Sequence, residues 1–177
     1  MYRINKLLKE KNTLFHTQDL AVLWGITNRN TLYTTIKRYV EKGIFAPIYK
    51  GFYTTVDLDQ LDPVSLGIRA LHGYAYLSTE TVLGRAGVIF QLSSQITLVS
   101  SLSKIISIGD QSYRVRSMRD EFLYNNLEIS MENGIPIASP ERAMADLLYF
   151  NPHYYFDNWK ALDIKKVRSI QKEVGYL

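Results

Sequence analysis

The sequence predicts an α+β fold in two domains, a helical N-terminal domain over residues 1–55 and a mixed α/β domain over residues 56–177. Two observations predict this division. Apolar residues recur at helical spacing in the first part, whereas strand-like segments dominate the middle of the chain. Residues 1–55 carry nine Lys and Arg against three Asp and Glu, a net charge of +6, and the remaining residues carry twelve against fourteen, a net charge of −2. A basic first domain indicates contact with a polyanion.

The first two helices follow from apolar spacing and capping residues. The first helix has an apolar stripe at i, i+3, i+4 spacing, made of Ile4, Leu7 and Leu8. Thr17 is predicted to cap the second helix, and Gly25 ends it, because glycine readily adopts the left-handed conformation found after helices. The apolar face of this second helix contains Leu20, Leu23 and Trp24.

A third helix and a hairpin complete the N-terminal domain. The helix is capped by Thr27 or Asn28 and runs to about Lys42. Its core-facing residues, at i, i+4, i+7, i+8 spacing, are Leu32, Ile36, Tyr39 and Val40. Residues 44–54 then form two short strands around a Lys-Gly turn.

The C-terminal domain begins after an Asp-rich linker at residues 56–61. Helices are predicted where Ser or Asp precedes a helical pattern, at residues 62–71, 78–83, 139–148 and 163–174, with Asp157 capping a further short helix. Strands are predicted at residues 95–100, 104–108, 112–117, 127–131 and 135–137. The second and third of these strands are joined by Gly109-Asp110 and should form a hairpin.

Helix, turn, helix and hairpin is the order of a winged helix-turn-helix, so the sequence predicts binding of double-stranded DNA. An α-helix fits the major groove, and the side of the third helix away from its core residues is polar and basic. The predicted base-reading residues near its start are Arg29, Asn30 and Tyr33, with Asn28 beside them. The predicted phosphate contacts are Thr34, Lys37 and Arg38, and Lys50 at the hairpin tip. The alternative is that this side of the third helix is exposed to solvent and contacts no DNA.

Catalytic and metal-binding patterns are missing from the sequence. There is no cysteine, and three widely spaced histidines do not suggest a metal site. Ser139 lacks a Gly-x-Ser-x-Gly context, and Asp146 is explained by an ion pair with Arg142 at i, i+4. We therefore expect no catalytic residue, no metal and no cofactor. No apolar run approaches the ~18 residues of a membrane span, and the first residues lack a signal region, so a cytoplasmic protein without membrane contact is expected.

Two further surfaces are candidates for contacts. The basic residues Lys104, Arg114, Arg116 and Arg119 lie in or next to the predicted hairpin and are the candidates for a second surface facing DNA or RNA, but the interpretation favoured over it is a solvated hairpin. The aromatic run Tyr154-Tyr155-Phe156 near Trp159 favours a core or interface patch over a stacking platform for bases.

Three motifs in this order resemble the AbiEi-type antitoxins of bacterial type IV toxin–antitoxin (abortive infection) systems. Residues 43–53, GIFAPIYKGFY, are similar to the family's GxxxRxxxGxY wing but have Pro47 where a basic residue is common. YLSTETVL at residues 76–83, followed by AGVI, resembles the family's YLSLETAL…GLI segment. SPERAMADLL at residues 139–148 matches its SPERALLDLL segment.

The resemblance implies a DNA-binding antitoxin that represses its own promoter at inverted repeats, with cooperativity between repressor copies. It also implies that the C-terminal domain counters a nucleotidyltransferase-like toxin without forming a stable complex. Two alternatives stay open: a plain transcription regulator whose C-terminal domain senses a ligand or forms an oligomer, and an RNA-binding module.

Overall fold

A computed structural model describes residues 3–91 and 93–177 and shows an α+β protein. The chain divides into two compact units, one extending to Asp62 and the other from Pro63 to Leu177. The stretch predicted as a linker belongs to the first unit and contains one 3-10 turn, Leu58–Gln60. The second unit therefore starts with the helix that begins at Pro63.

The first unit combines three helices with a small sheet. Its elements are α1 (Arg3–Leu7), β1 (Leu14–His16), α2 (Thr17–Trp24), α3 (Arg29–Glu41), β2 (Ala46–Tyr49) and β3 (Phe52–Thr54). The three strands are antiparallel in the order β1-β3-β2, so β1, which precedes α2, pairs with the second strand of the hairpin. The predicted helices and hairpin are confirmed. The strand β1 is new, because three residues are too few to show a strand pattern.

An aromatic and aliphatic core holds these elements together. Its buried members are Leu7, Phe15, Leu20, Trp24, Leu32, Ile36 and Phe45. The Trp24 ring lies 5.1 Å from the Tyr39 ring and 6.2 Å from the Phe45 ring, centroid to centroid, which joins α2 and α3 to the segment before the hairpin. Leu8, predicted as part of the apolar stripe, is 76% exposed because α1 ends at Leu7.

The ends of α2 and α3 follow local capping chemistry. The N-cap of α2 is His16, not Thr17 as predicted, and the Asp19 carboxylate accepts a hydrogen bond from the His16 amide at 2.8 Å. The Thr17 hydroxyl does not cap the helix, because it is turned toward the hairpin and donates to the Gly51 carbonyl at 3.3 Å. Gly25 ends α2 with a φ of 65°, as predicted.

The second unit is built on a six-stranded mixed sheet. Its strands are β4 (Ala75–Leu77), β5 (Gln95–Ser100), β6 (Lys104–Ile108), β7 (Gln111–Ser117), β8 (Ile129–Glu132) and β9 (Ile135–Ala138). Its helices are α4 (Pro63–Arg69), α5 (Thr79–Arg85), α6 (Asp120–Leu123), α7 (Pro140–Phe150) and α8 (Ile164–Val174). The strand order is β6-β7-β5-β4-β9-β8, with parallel pairing at β5–β7 and β4–β9 and antiparallel pairing elsewhere.

Most predicted elements of the second unit are present. The β6–β7 hairpin turns at Gly109-Asp110, and Ser139 caps α7 by accepting from the Arg142 amide. The sequence did not predict β4 or α6, which are only three and four residues long. Asp157 was predicted wrongly as a helix cap, since its carboxylate accepts instead from the Phe90 amide at 2.8 Å.

Candidate nucleic-acid interface

The orientation of α3 is set by its buried residues. Leu32 and Ile36 are buried in the core of the first unit, together with Thr35, whose hydroxyl donates to the Thr31 carbonyl within the helix at 2.8 Å. Tyr39 packs against the same core. Because these residues recur every three or four positions, they turn one side of α3 inward and leave the other side to solvent.

We call the exposed side the outward face of α3, consisting of Asn30, Tyr33, Thr34 and Lys37. All four are predicted DNA-contacting residues, and all are exposed. The Thr34 hydroxyl donates to the Asn30 carbonyl at 2.9 Å, and Lys37 lies 3.8 Å from the exposed Glu41 carboxylate. An exposed ion pair of this kind contributes little to stability, so it leaves the Lys37 ammonium available to another anion.

Two predicted residues at the start of α3 have local partners. The Asn28 side-chain oxygen accepts from the amide of Thr31 at 3.0 Å, so Asn28 is the helix cap. The exposed Arg29 guanidinium donates to the Tyr33 hydroxyl at 3.4 Å and lies 5.6 Å from the centre of that ring. This hydrogen bond raises the pKa of Arg29, which stays charged. Tyr33 thereby orients Arg29 along the helix.

Arg38 differs from the other predicted residues of α3 because it lines a cavity. Arg29 and Arg38 are two and a half turns apart at ~3.6 residues per turn, so they project from opposite sides of α3. Arg38 faces a cavity that Arg3 of α1 and Lys42 also line. The predicted contacts therefore form two groups, the outward face with Arg29 and a separate cationic cavity.

Lys50 lies exposed at the tip of the β2–β3 hairpin. The turn beside it is anchored, since both the amide and the hydroxyl of Thr17 donate to the Gly51 carbonyl. Gly51 has a φ of 89°, and a Cβ there would lie 3.3 Å from the Thr17 hydroxyl, so glycine suits this position on two grounds. The Lys50 ammonium is thus carried by a turn of defined position.

The four basic residues of the predicted second surface do not share one face. Lys104 pairs with Val115 across the β6–β7 hairpin, whereas Arg114 pairs with Ile105, so Lys104 and Arg114 lie on opposite faces of the sheet. The prediction that these residues form one basic surface therefore needs correction, because the pleat of the sheet separates Lys104 from Arg114.

The remaining two members of that set are already engaged. Arg116 forms an ion pair with Glu80 and lies 5.5 Å from the centre of the Phe150 ring. Arg119 lies beyond the strand, 3.6 Å from the Glu121 carboxylate. A phosphate at Arg116 would have to displace a partly buried carboxylate, which makes this residue a poor candidate for nucleic-acid contact.

The aromatic run of the second unit is partly exposed. Tyr155 is 80% exposed and Trp159 is 50% exposed, so these two side chains do not belong to a core, and of the two predicted alternatives only the interface patch stays a prediction for them. Tyr154 and Phe156 are half-buried, with ring centroids 5.0 Å apart.

A buried polar cluster in the second unit was not predicted as such. The sequence predicted the Arg142–Asp146 ion pair, which is present, with Nε donating to Oδ1 at 2.7 Å. Both side chains are completely buried, however. The other carboxylate oxygen accepts from the Ser78 hydroxyl at 2.7 Å and from the Tyr76 hydroxyl at 3.0 Å, and Tyr176 donates to Oδ1.

The remaining donors of Arg142 are also satisfied. They reach the backbone carbonyls of Leu127 at 2.9 Å, Asn125 at 3.1 Å and Phe122 at 3.3 Å, and the Tyr76 hydroxyl at 3.4 Å. Burial raises the pKa of Tyr76 and Tyr176, and the Asp146 carboxylate raises both further, so these phenols stay protonated and donate. A cluster whose groups are this fully hydrogen-bonded holds the fold together and offers little to a substrate.

Within residues 3–91 and 93–177, no group of three or more metal-ligating side chains comes together. None of the helices in that part of the chain has both the length and the apolar character needed to cross a membrane. No protein-family model matches the chain, and no curated protein matches it. Membership of the AbiEi-type antitoxins therefore stays a prediction that rests on the three motifs.

Proposed function

We propose that the first unit is a winged helix-turn-helix that binds double-stranded DNA, with α3 as the recognition helix and the β2–β3 hairpin as the wing. The order of elements supports the proposal, as does the antiparallel pairing of β1 with β3, which attaches the hairpin to the start of α2. The net charge of +6 in residues 1–55 supports it further, because phosphate neutralisation supplies most nonspecific DNA affinity.

The observation that carries the proposal is the outward face of α3. Its polar side chains, Asn30, Tyr33, Thr34 and Lys37, are exposed on one helix whose other side is fixed in the core. Amide, hydroxyl and ammonium groups are the donors and acceptors that contact base edges and phosphates in the major groove.

We propose further that the chain is an antitoxin that represses its own promoter. This part rests on the motif resemblance, which implies inverted-repeat operators and a nucleotidyltransferase-like toxin as functional partner. A cytoplasmic location is part of this proposal, because a repressor must reach its promoter. Two of the resembling segments meet in the second unit, since Tyr76 and Ser78 both donate to Asp146. A plain regulator with the same DNA-binding unit is the competing proposal.

The DNA-binding proposal is tested by fluorescence anisotropy with two duplexes, one from upstream of the chain's own gene and one of random sequence. Arg29→Ala should weaken binding to the upstream duplex by about 1–3 kcal/mol. It should change binding to the random-sequence duplex little. Lys37→Ala should weaken binding to both duplexes and lower the salt dependence by about one unit of slope.

The matched control is Lys165→Ala, which removes an exposed cation from α8 in the second unit. It should leave binding to both duplexes unchanged. If the variants on α3 behave like this control on both duplexes, the assignment of α3 as the recognition helix is wrong.

A further inference from the structure

The cationic cavity beside α3 is a second candidate binding site in the first unit. It lies between α1 and α3 and has a volume of about 590 Å³. Its lining residues are Arg3, Ile4, Thr35, Arg38, Tyr39, Lys42 and Ile44. None of these belongs to the outward face of α3, so the cavity is distinct from the surface proposed to read bases.

The lining carries three cations and no carboxylate. Among the ion pairs of the described part of the chain, none involves Arg3, Arg38 or Lys42. Three cations around one cavity repel one another, and an anion bound among them would remove that repulsion. The site therefore has the charge of an anion-binding pocket.

One of these cations is positioned by the protein. The Arg3 guanidinium donates to the Thr35 hydroxyl at 3.3 Å, and this hydroxyl is itself held by its bond to the Thr31 carbonyl. A single hydrogen bond leaves most of the five N–H donors of Arg3 available. The negative C-terminal end of α3 is favourable for Arg38 and Lys42, but it does not explain a third cation that comes from α1.

We propose that this Arg3–Arg38–Lys42 pocket binds a phosphoryl group. Guanidinium groups match the oxygens of a phosphate in bidentate fashion, and a nearby ammonium adds a point charge. The apolar and aromatic lining by Ile4, Tyr39 and Ile44 suits the sugar or base attached to that phosphate. The phosphoryl group belongs either to a DNA backbone or to a free phosphate ester, and only the first source rests on the proposed function.

The position of the pocket on α3 indicates which DNA phosphate it could bind. If α3 enters a major groove with its outward face toward the bases, its two flanks face the two phosphate backbones. Arg38 lies on one of these flanks, together with the pocket that it lines. The pocket would then receive a phosphate of one strand beyond the bases that α3 contacts.

The test uses the full-length protein and the double variant Arg38→Gln/Lys42→Gln. The matched control is Lys9→Gln/Lys11→Gln, which removes two exposed cations that do not line the pocket. Arg3→Gln is a third variant, which deletes one exposed side chain with a single hydrogen bond to Thr35 and so tests the pocket with little risk to folding.

The first arm titrates inorganic phosphate at constant ionic strength and follows the backbone amide resonances of Thr35 and Tyr39. Saturable shifts are expected in the wild type and the control, with phosphate affinity reduced about tenfold or more in the pocket variants. The second arm measures binding of a random-sequence duplex against salt, where the double variant should lower the slope by about 1 relative to the control.

If the pocket variants lose only phosphate affinity, the phosphoryl group belongs to a free phosphate ester. If they lose only salt-dependent duplex binding, it belongs to the DNA backbone. If they lose both, the pocket accepts either source. No difference between the pocket variants and the control in either arm overturns the inference. If the wild type binds phosphate through the pocket but no duplex at all, the proposed DNA-binding function fails while the inference stands.

Discussion

Asp146 is a buried carboxylate with four hydrogen-bond donors around it. Its carboxylate accepts from Tyr76 in β4, Ser78 just after it, Arg142 in α7 and Tyr176 in the segment after α8. An ionised carboxylate without such donors could not be buried, because desolvation of an unpaired charge is very costly. Tyr176 thus ties the C-terminal segment to the core of the second unit.

Tyr176→Phe should lower the free energy of unfolding of the second unit by about 1.5–3 kcal/mol, the range for a hydrogen bond to a charged group. The ring contacts with Phe122 and Tyr149 are kept by the phenylalanine, so the change isolates the hydroxyl. Native-state hydrogen exchange of the Leu147 amide, which lies in the buried part of α7, measures this value.

Tyr155→Phe is the control, because this side chain is 80% exposed and the change should cost less than about 0.5 kcal/mol. Equal exchange rates in the two variants would show that the Tyr176 hydroxyl contributes nothing to the stability of the buried cluster.

At the scale of elements, α4 is attached to the sheet through a position without a side chain. A Cβ on Gly67 would lie 2.3 Å from the ring of Tyr113, which is fully buried in β7. The Tyr113 hydroxyl donates to the Pro63 carbonyl at the start of α4 at 2.8 Å. Glycine at this point lets the helix approach the tyrosine ring closely.

Gly67→Ala should therefore destabilise the second unit although alanine is the better helix former. The propensity gain of about 1 kcal/mol is outweighed by an overpacking cost at the upper end of 1–3 kcal/mol, since the ring has no room to move. We expect a net loss of about 1–2 kcal/mol in the free energy of unfolding, measured by hydrogen exchange of the Leu98 amide.

Gly73→Ala is the matched control because a Cβ there meets nothing within 4 Å. It should be neutral or slightly stabilising. A stabilising effect of Gly67→Ala would mean that the sheet accommodates the methyl group and that α4 is not held at this distance.

For the whole molecule, the division into two units predicts that the two proposed activities, DNA binding and protection from a toxin, can be separated. The second unit has its own sheet and its own buried residues, from Val64 to Val174, so it does not depend on α3 for a core. The triple variant Arg29→Ala/Lys37→Ala/Arg38→Ala changes only exposed side chains of the first unit. It should lose repression and retain antitoxicity.

The measurement is growth of cells that express the neighbouring toxin from an independent promoter, with the triple variant supplied in trans. Rescue equal to that by the wild type, together with loss of promoter repression, is the expected result. Failure of a folded and abundant variant to rescue would favour the plain regulator over the antitoxin. Wild-type protein expressed at the same level is the control for dose.

Several interactions between residues close in sequence could be predicted from the sequence alone. They are the α3 cap, predicted at Thr27 or Asn28 and found at Asn28, the Gly25 terminus of α2, the Lys50-Gly51 turn and the ion pair of Arg142 with Asp146, each of which joins residues within four positions of one another. Such contacts are encoded by spacing, so the helices of the first unit and the outward face of α3 could be predicted from periodicity. The α+β class followed from the same patterns.

Tertiary structure decided what depends on residues distant in sequence. It placed β1 beside β3, buried the Arg142–Asp146 pair together with Tyr76 and Tyr176, and brought Arg3 and Arg38 to one cavity. It also separated Lys104 from Arg114, because the pleat of a sheet sends neighbouring charges to opposite faces only after the strand register is fixed. Charge and periodicity are properties of a segment, whereas burial and the sharing of one cavity are properties of the folded chain.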